Sequence, residues 1–268
     1  MDLITSVFIT GICLSAIMAS AWRFQHVTGN SGWIDVFWTF GTGAAACTLA
    51  LLPFEGSGWP NARQMLVAAF AGSWSLRLGF HILLRTRMVD DDPRYRDLII
   101  QWGEHAKSKL FWQLQAQAAV GLLLASSVML AAQNLAENFR FQDVIAVGIF
   151  LIGCFGEATA DSQLRRFKQS ELNRGKICDA GLWGFSRHPN YFFEWLCWLA
   201  YPLLAIDVHS GNLLGYVSLL APLCMYWLLV YVSGIPPLEA HMMRTREVLF
   251  ISYRQRTNAF FPWPSRKT

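Results

Sequence analysis

The chain has 268 residues, of which 54% are apolar, 14% aromatic and only 15% charged, with a formal charge of +4. Water-soluble domains carry about a quarter charged residues. The composition therefore argues against an ordinary soluble enzyme, and it excludes a disordered chain, a coiled coil and a collagen-like repeat. So small a positive charge leaves no global footprint for nucleic-acid binding. With a mean hydropathy of +0.31, the class expected is an all-α, polytopic membrane protein.

A bilayer core of about 30 Å needs about 20 apolar residues per spanning helix. Seven segments meet this: Leu3–Trp22, Trp33–Phe54, Ala62–Leu84, Phe111–Ala132, Val144–Ala160, Tyr191–Val208 and Leu213–Ile235. The first does not read as a cleaved signal, because Asp2 precedes it and no clean small-residue site follows. Nineteen of the 22 Lys and Arg fall in the connections and tail on one side of a seven-span chain. That bias predicts an N-terminus outside and a C-terminus in the cytoplasm. The six cysteines contain no C-x-x-C pair and read as small buried hydrophobes, with neither a disulfide framework nor a zinc site, and no metal is expected. Gly41-Thr-Gly-Ala-Ala-Ala46 fits a dinucleotide string but lies inside an apolar span with no strand before it. Close helix packing by small residues explains it instead.

Ionisable side chains at membrane depth are costly and point to function. Asp35 stands three residues into the second segment, close to Trp38. Arg77 and His81 share a face of the third, four residues apart, with Trp74 nearby. Glu157 and Asp161 lie four apart at the end of the fifth. The densest stretch runs from Gly181 to Glu194. There Arg187, His188, Asn190 and Tyr191 crowd a helix start at Pro189, where free N–H groups and the helix dipole favour anions. Arg187 adds a planar fork suited to phosphate, and Asn190 and Glu194 share a face. The pattern implies a polar, anion-binding cavity on the cytoplasmic side.

Several blocks together resemble the steroid 5-alpha-reductase-like membrane family, in its bacterial branch. They are Glu157-x3-Asp161-x-Gln163, Phe167-Lys168, Gly181-Leu-Trp183, Ser186-Arg-His-Pro-Asn-Tyr191-x2-Glu194, Ser233-Gly-Ile-Pro-Pro-Leu-Glu239, Tyr253 and Phe261-Pro262, with Trp38, Arg77 and Asp92-Pro-Arg-Tyr95 alongside. The Arg-His-Pro-x-Tyr block is shared with isoprenylcysteine carboxyl methyltransferases. The resemblance implies one seven-helix reductase domain over residues 1–268, with helices one to four on the substrate side. Helices five to seven, the cytoplasmic loops and the tail would hold NADPH. It implies Glu157, Asp161, Lys168, Asn190, Glu194 and Trp198 in the cofactor pocket, with His188 and Tyr191 beside them. Arg165, Lys168, Arg174 and Arg187 would meet the phosphates, and Glu239, Arg246 and Tyr253 would close the pocket.

The reaction implied is hydride transfer to the C=C bond of a lipophilic enone, of the 3-oxo-4-ene steroid type. The mammalian enzymes of the family polarise the carbonyl with a Glu of the second helix and a Tyr of the third. This sequence has neither, and Asp35, Trp38, Trp74 and His81 are the catalytic candidates in their place, with a protonated Asp35 as donor. The substrate is expected from the bilayer, membrane lipid is the surrounding partner, and a monomer in the bacterial inner membrane is expected, its site open to the cytoplasm. The alternative is an S-adenosylmethionine-dependent membrane methyltransferase. A transporter or lipid-binding protein would explain the spans but not why acids, amides and bases gather on one face.

Overall fold

A computed structural model describes residues 3–53, 59–88, 91–136, 138–208 and 213–265. Phe54, Arg266 and Lys267 of the sequence reading lie outside these residues. The described elements are helical: α1 (Leu3–Thr28), α2 (Gly32–Ala50), α3 (Ala62–Arg87), α4 (Pro93–Trp102), α5 (Ala106–Ala132), α6 (Phe141–Gln169), α7 (Pro189–Ala205), α8 (Leu214–Val217), α9 (Leu220–Trp227) and α10 (Ile235–Arg256). Short 3₁₀ turns occupy Gly103–His105, Glu171–Asn173 and Gly181–Gly184, and Leu228–Val232 is a π-helical turn. Among the described residues the one β-type contact is an isolated bridge between Ser186 and Asn258.

Five helical runs are long and apolar enough to cross a membrane: Leu3–Thr28, Ala62–Met88, Pro93–Ala132, Phe141–Gln169 and Leu214–Arg256. The chain therefore reads as an integral, multi-pass membrane protein. The other two expected spans differ for physical reasons. In α2, Asp35 and a run of Trp, Thr and Gly dilute the apolar residues, and α7 has only 17 residues. The seventh expected segment is not one regular helix, since α8, α9 and the π turn divide it before α10. The stretch between the third and fourth segments is largely helical as well. Asp92 caps α4, its carboxylate accepting from the Arg94 N–H, and Pro93 takes the first helical position, where a missing N–H costs nothing.

The chain divides into two compact units, Met1–Phe141 with Tyr201–Ala221, and Gln142–Ala200 with Pro222–Thr268. In the first unit α2 packs on α1, α3 and α5. Lipid is as apolar as leucine, so such helices associate through close packing of small residues rather than by escape from water. Gly43 sits against Ser75 of α3 and Gly121 of α5 against Thr42, each with no room for a Cβ, and Gly41 lies tight against Ile17 of α1. The string Gly41-Thr-Gly43 is thus a packing surface. Leu14, Met18, Ile34, Leu110 and Leu114 fill a core beside it, while Ile4, Phe8 and Ile12 of α1 face outward. A capping box of Asn61 and Gln64 starts α3. Arg140 and Asn134 close the C-terminal end of α7, donating to the carbonyls of Leu204, Ala205 and Ile206 that the helix leaves over.

In the second unit α6 and α7 approach through glycine again. Gly153 and Gly156 lie directly on Cys197 and Phe193. An aromatic cluster of Phe192, Trp195, Tyr226, Phe260 and Phe261 packs edge to face on the far side of α7.

Candidate functional site

The first unit holds one connected polar network. Asp35 of α2 accepts from the Tyr95 hydroxyl at 2.8 Å and pairs with Arg94 at 2.5 Å. Arg94 also grips Asp92 at 2.8 Å, and Arg85 reaches Asp92 from α3 at 3.3 Å. Burial would push the Asp92 carboxyl up, but the hydrogen bond and charge of Arg94 outweigh it and hold it below the usual carboxylate range. Gln117 of α5 donates to the Tyr95 oxygen at 3.0 Å, and its backbone carbonyl accepts from the Trp38 indole at 3.0 Å. The remaining amide oxygen of Gln117 is buried and accepts no hydrogen bond. Tyr95 is 5% exposed and Asp35 is half-buried. A phenol thus lies between a carboxylate and an amide inside an apolar helix bundle.

Three of the four residues expected at the substrate end contribute here. Asp35 is the hub, held by a cation as well as by the phenol. Trp38 meets Trp74 edge to face, with centroids 6.3 Å apart. The Trp38 N–H is already spent on Gln117, so this indole lines the cluster rather than donating from it. Trp74 is fully buried. His81 lies two turns further along α3 and is half-buried. Tyr95, Arg94 and Gln117 were not among the sequence candidates for chemistry. The Asp-Pro pair that starts α4 was the signal that could have found Tyr95.

The second unit builds its polar set on α6 and α7. Glu157 and Asp161 are spaced to share one face of α6, and they are 3% and 8% exposed. Asn190, Glu194 and Trp198 follow at the same spacing on α7. Asn190 donates to Asp161 at 3.3 Å, and the Trp198 indole donates to Glu194 at 2.9 Å. Glu194 is 5% exposed. Three carboxylates are therefore buried on two adjoining helices, an arrangement that costs several kcal/mol unless donors surround them. The loop before α7 is pinned to α6. Gln163 accepts from the Leu182 N–H at 2.9 Å, and the Trp183 indole donates to the Ala160 carbonyl at 2.9 Å. Gly181 makes this turn at a φ of +60°, where a side chain would also strike Gln163.

Arg187 does not face outward. Its guanidinium forks onto Glu239 at 2.8 Å and donates to the carbonyls of Thr257 and Arg254. His188 meets the same Glu239 oxygen at 3.2 Å and stacks on Tyr191, rings 9° from parallel. Ser186 donates to the Ala259 and Phe260 carbonyls, and Tyr253 donates to the Trp183 carbonyl at 2.5 Å. Burial lowers the His188 imidazole below its ordinary value, against the opposing hydrogen bond that it donates to Glu239. The Ser-Arg-His block is thus a clasp that holds residues 253–261. Arg165, Lys168, Arg174 and Arg246 are all exposed. Arg174 stands 3.8 Å from Glu171, and Arg246 sits at a kink of α10, with φ −149° and ψ 45°.

An all-helical, multi-pass membrane protein with two buried polar sets is the class that these features define. Residues 21–257 match a family described as protein of unknown function DUF1295, and the chain belongs to it. It is 29% identical over 289 aligned positions to an uncharacterised protein of Schizosaccharomyces pombe, covering 96% of this chain and 80% of that one. No solved structure matches.

Proposed function

We propose that the protein is a membrane-embedded, NADPH-dependent reductase of a lipophilic α,β-unsaturated ketone, of the kind the steroid 5-alpha-reductase resemblance implies. The observation that carries this reading is the Tyr95 hydroxyl set between Asp35 and Gln117 on an apolar wall of Trp38 and Trp74. The Tyr95 O–H donates to Asp35 in this structure and would turn from it to the carbonyl oxygen of a bound ketone, where a donor aimed at developing charge is worth about 3–4 kcal/mol of barrier. In this reading Tyr95 polarises the ketone in place of the Tyr of the mammalian enzymes, and Asp35 orients Tyr95 in place of their Glu.

The donor set of the second unit fits a nicotinamide nucleotide. Buried Glu157, Asp161 and Glu194 would accept from ribose hydroxyls and the carboxamide, and Asn190 would pair with the carboxamide. Exposed Arg165, Lys168, Arg174 and Arg246 would meet the phosphates. Arg187, His188, Glu239 and Tyr253 act in this reading by holding the loop rather than by touching the nucleotide. NADPH, when bound, supplies the hydride. In this reading Tyr95 would hold the ketone oxygen and meet the negative charge that builds on it as the C=C bond is reduced. In the seven-span reading this chemistry would face the cytoplasm, with the basic connections on the same side.

The test is the thermal midpoint of detergent-purified protein with NADPH, NADH or S-adenosylmethionine, since a ligand of the folded state raises it by mass action. A rise with NADPH, followed by anaerobic NADPH consumption with a 3-oxo-4-ene steroid or another lipophilic enone, is expected. A rise with S-adenosylmethionine alone would replace the reading with methyl transfer.

A further inference from the structure

The cysteines Cys154 of α6 and Cys197 of α7 have their sulfurs 3.7 Å apart. The closeness follows from the backbone. Gly153, next to Cys154, lies on the Cys197 sulfur and backbone, and Gly156 lies on Phe193, so no side chain spaces the helices at this level. The Cys197 thiol points to the Phe150 carbonyl at 3.9 Å, which leaves its sulfur to accept from Cys154. Cys197 is 1% exposed, whereas Cys154 is only half-buried. Each cysteine is one helical turn from a buried acid, Glu157 on α6 and Glu194 on α7. None of the six cysteines is in a disulfide, and neither of these two has a part in the proposed reduction.

We propose that Cys154 and Cys197 form a chelating dithiol site, whose ligand is a neutral, trivalent, monosubstituted arsenical reached from the bilayer. Two S–H bonds and the arsenic–oxygen bond break, two arsenic–sulfur bonds form, and the oxygen leaves with both protons as water. Arsenic stays trivalent, so no oxidant is needed. Packing between α6 and α7 keeps charged, water-borne reagents from the pair, since they would have to shed their water to reach it. A small apolar reagent in the hydrocarbon meets no such barrier at Cys154. Once one sulfur is bound the second closes intramolecularly, at an effective concentration that free monothiols do not match. The product ties α6 to α7 one turn from Glu157 and Glu194.

The full chain in detergent is treated with phenylarsine oxide and read by intact mass and by alkylation of the denatured protein. The expected result is one adduct per chain, with the mass of one water lost. The adduct should withstand about a 100-fold excess of monothiol and be removed by ethanedithiol. Cys154 and Cys197 should be protected together, with Cys13, Cys47, Cys178 and Cys224 still alkylated. The thermal midpoint should rise on binding. Cys154→Ser or Ala and Cys197→Ser or Ala, taken in whichever form folds, should each lose the monothiol-resistant adduct. Replacing the other four cysteines should leave it intact. Persistence of the adduct in both single variants, removal by monothiol, or an adduct with no rise in midpoint would overturn the proposal. None of these readouts depends on reductase activity.

Discussion

The two units use arginine and carboxylate side chains in opposite ways. In the first, Arg94 and Asp35 leave a hydroxyl, Tyr95, held in their network, and the chain of contacts runs on to Gln117. In the second, Arg187 closes on Glu239 and on backbone carbonyls, while Glu157, Asp161 and Glu194 are buried on the faces of α6 and α7. The first arrangement links a phenol to a carboxylate and an amide, and the second makes a structural joint. What an Arg–acid pair does therefore depends on what else its oxygens and nitrogens touch.

Substitutions at five residues, one of them read by titration, sharpen or break this contrast, taken from the largest effect down. Arg187→Ala leaves the half-buried Glu239 with His188 as its remaining partner and takes the donor from two carbonyls. It should cost about 3–5 kcal/mol of stability, read as a large fall in thermal midpoint, and Arg187→Lys should not restore it because one ammonium cannot replace the fork. An unchanged midpoint would mean the clasp is not a joint. Tyr95→Phe should lower enone turnover about 10²–10³-fold while costing only about 1 kcal/mol of stability for the hydrogen bonds lost. Equal losses of stability and rate would make Tyr95 structural. Glu157→Gln should abolish the rise in midpoint with NADPH, a rise of about 2.7 kcal/mol when ligand stands at 100 times its dissociation constant, without moving the midpoint of the free protein by as much.

His188 supplies a pH signature. Its imidazole is lowered from 6.5 in the folded chain, so the unfolded chain takes up the proton first as pH falls. The stability it contributes is present above that ordinary value and is lost as pH drops through the lowered one. Midpoints measured from about pH 8 to 5 should decline on the acid side, and His188→Gln should flatten that decline. The smallest effect belongs to Arg174→Ala. Its exposed pair with Glu171 is worth under about 1 kcal/mol, so the midpoint of the free protein should hold. A weaker shift with NADPH but not with NADH would assign it to the extra phosphate.

Much of the helical layout was legible in the sequence, because a long apolar run in a chain this poor in charge has few other uses. The buried acids were legible for the converse reason, since Glu157, Asp161 and Glu194 stand where charge is expensive. Tyr95 was hidden because it follows Asp92, Pro93 and Arg94, which read locally as a polar loop. Those residues cap and start α4, and that helix carries the phenol to 5% exposure. The role of Arg187 was hidden for another reason. A guanidinium suits a phosphate and a carboxylate equally well, and Glu239 is 52 residues away. Periodicity also saw one span in Leu213–Ile235, where the chain makes two short helices and a π turn.

The clasp also sets a schedule for biosynthesis. Arg187 and Thr257 are 70 residues apart, and a chain made from its N-terminal side reaches Arg187 long before its partner. Through that interval the Ser186–His188 block has neither the carbonyls of residues 254–260 nor Glu239. The nascent protein therefore carries a charged, half-satisfied loop after most of its apolar helices have been made. Synthesis halted short of Thr257 would leave Arg187 without the carbonyl that it meets in the finished chain.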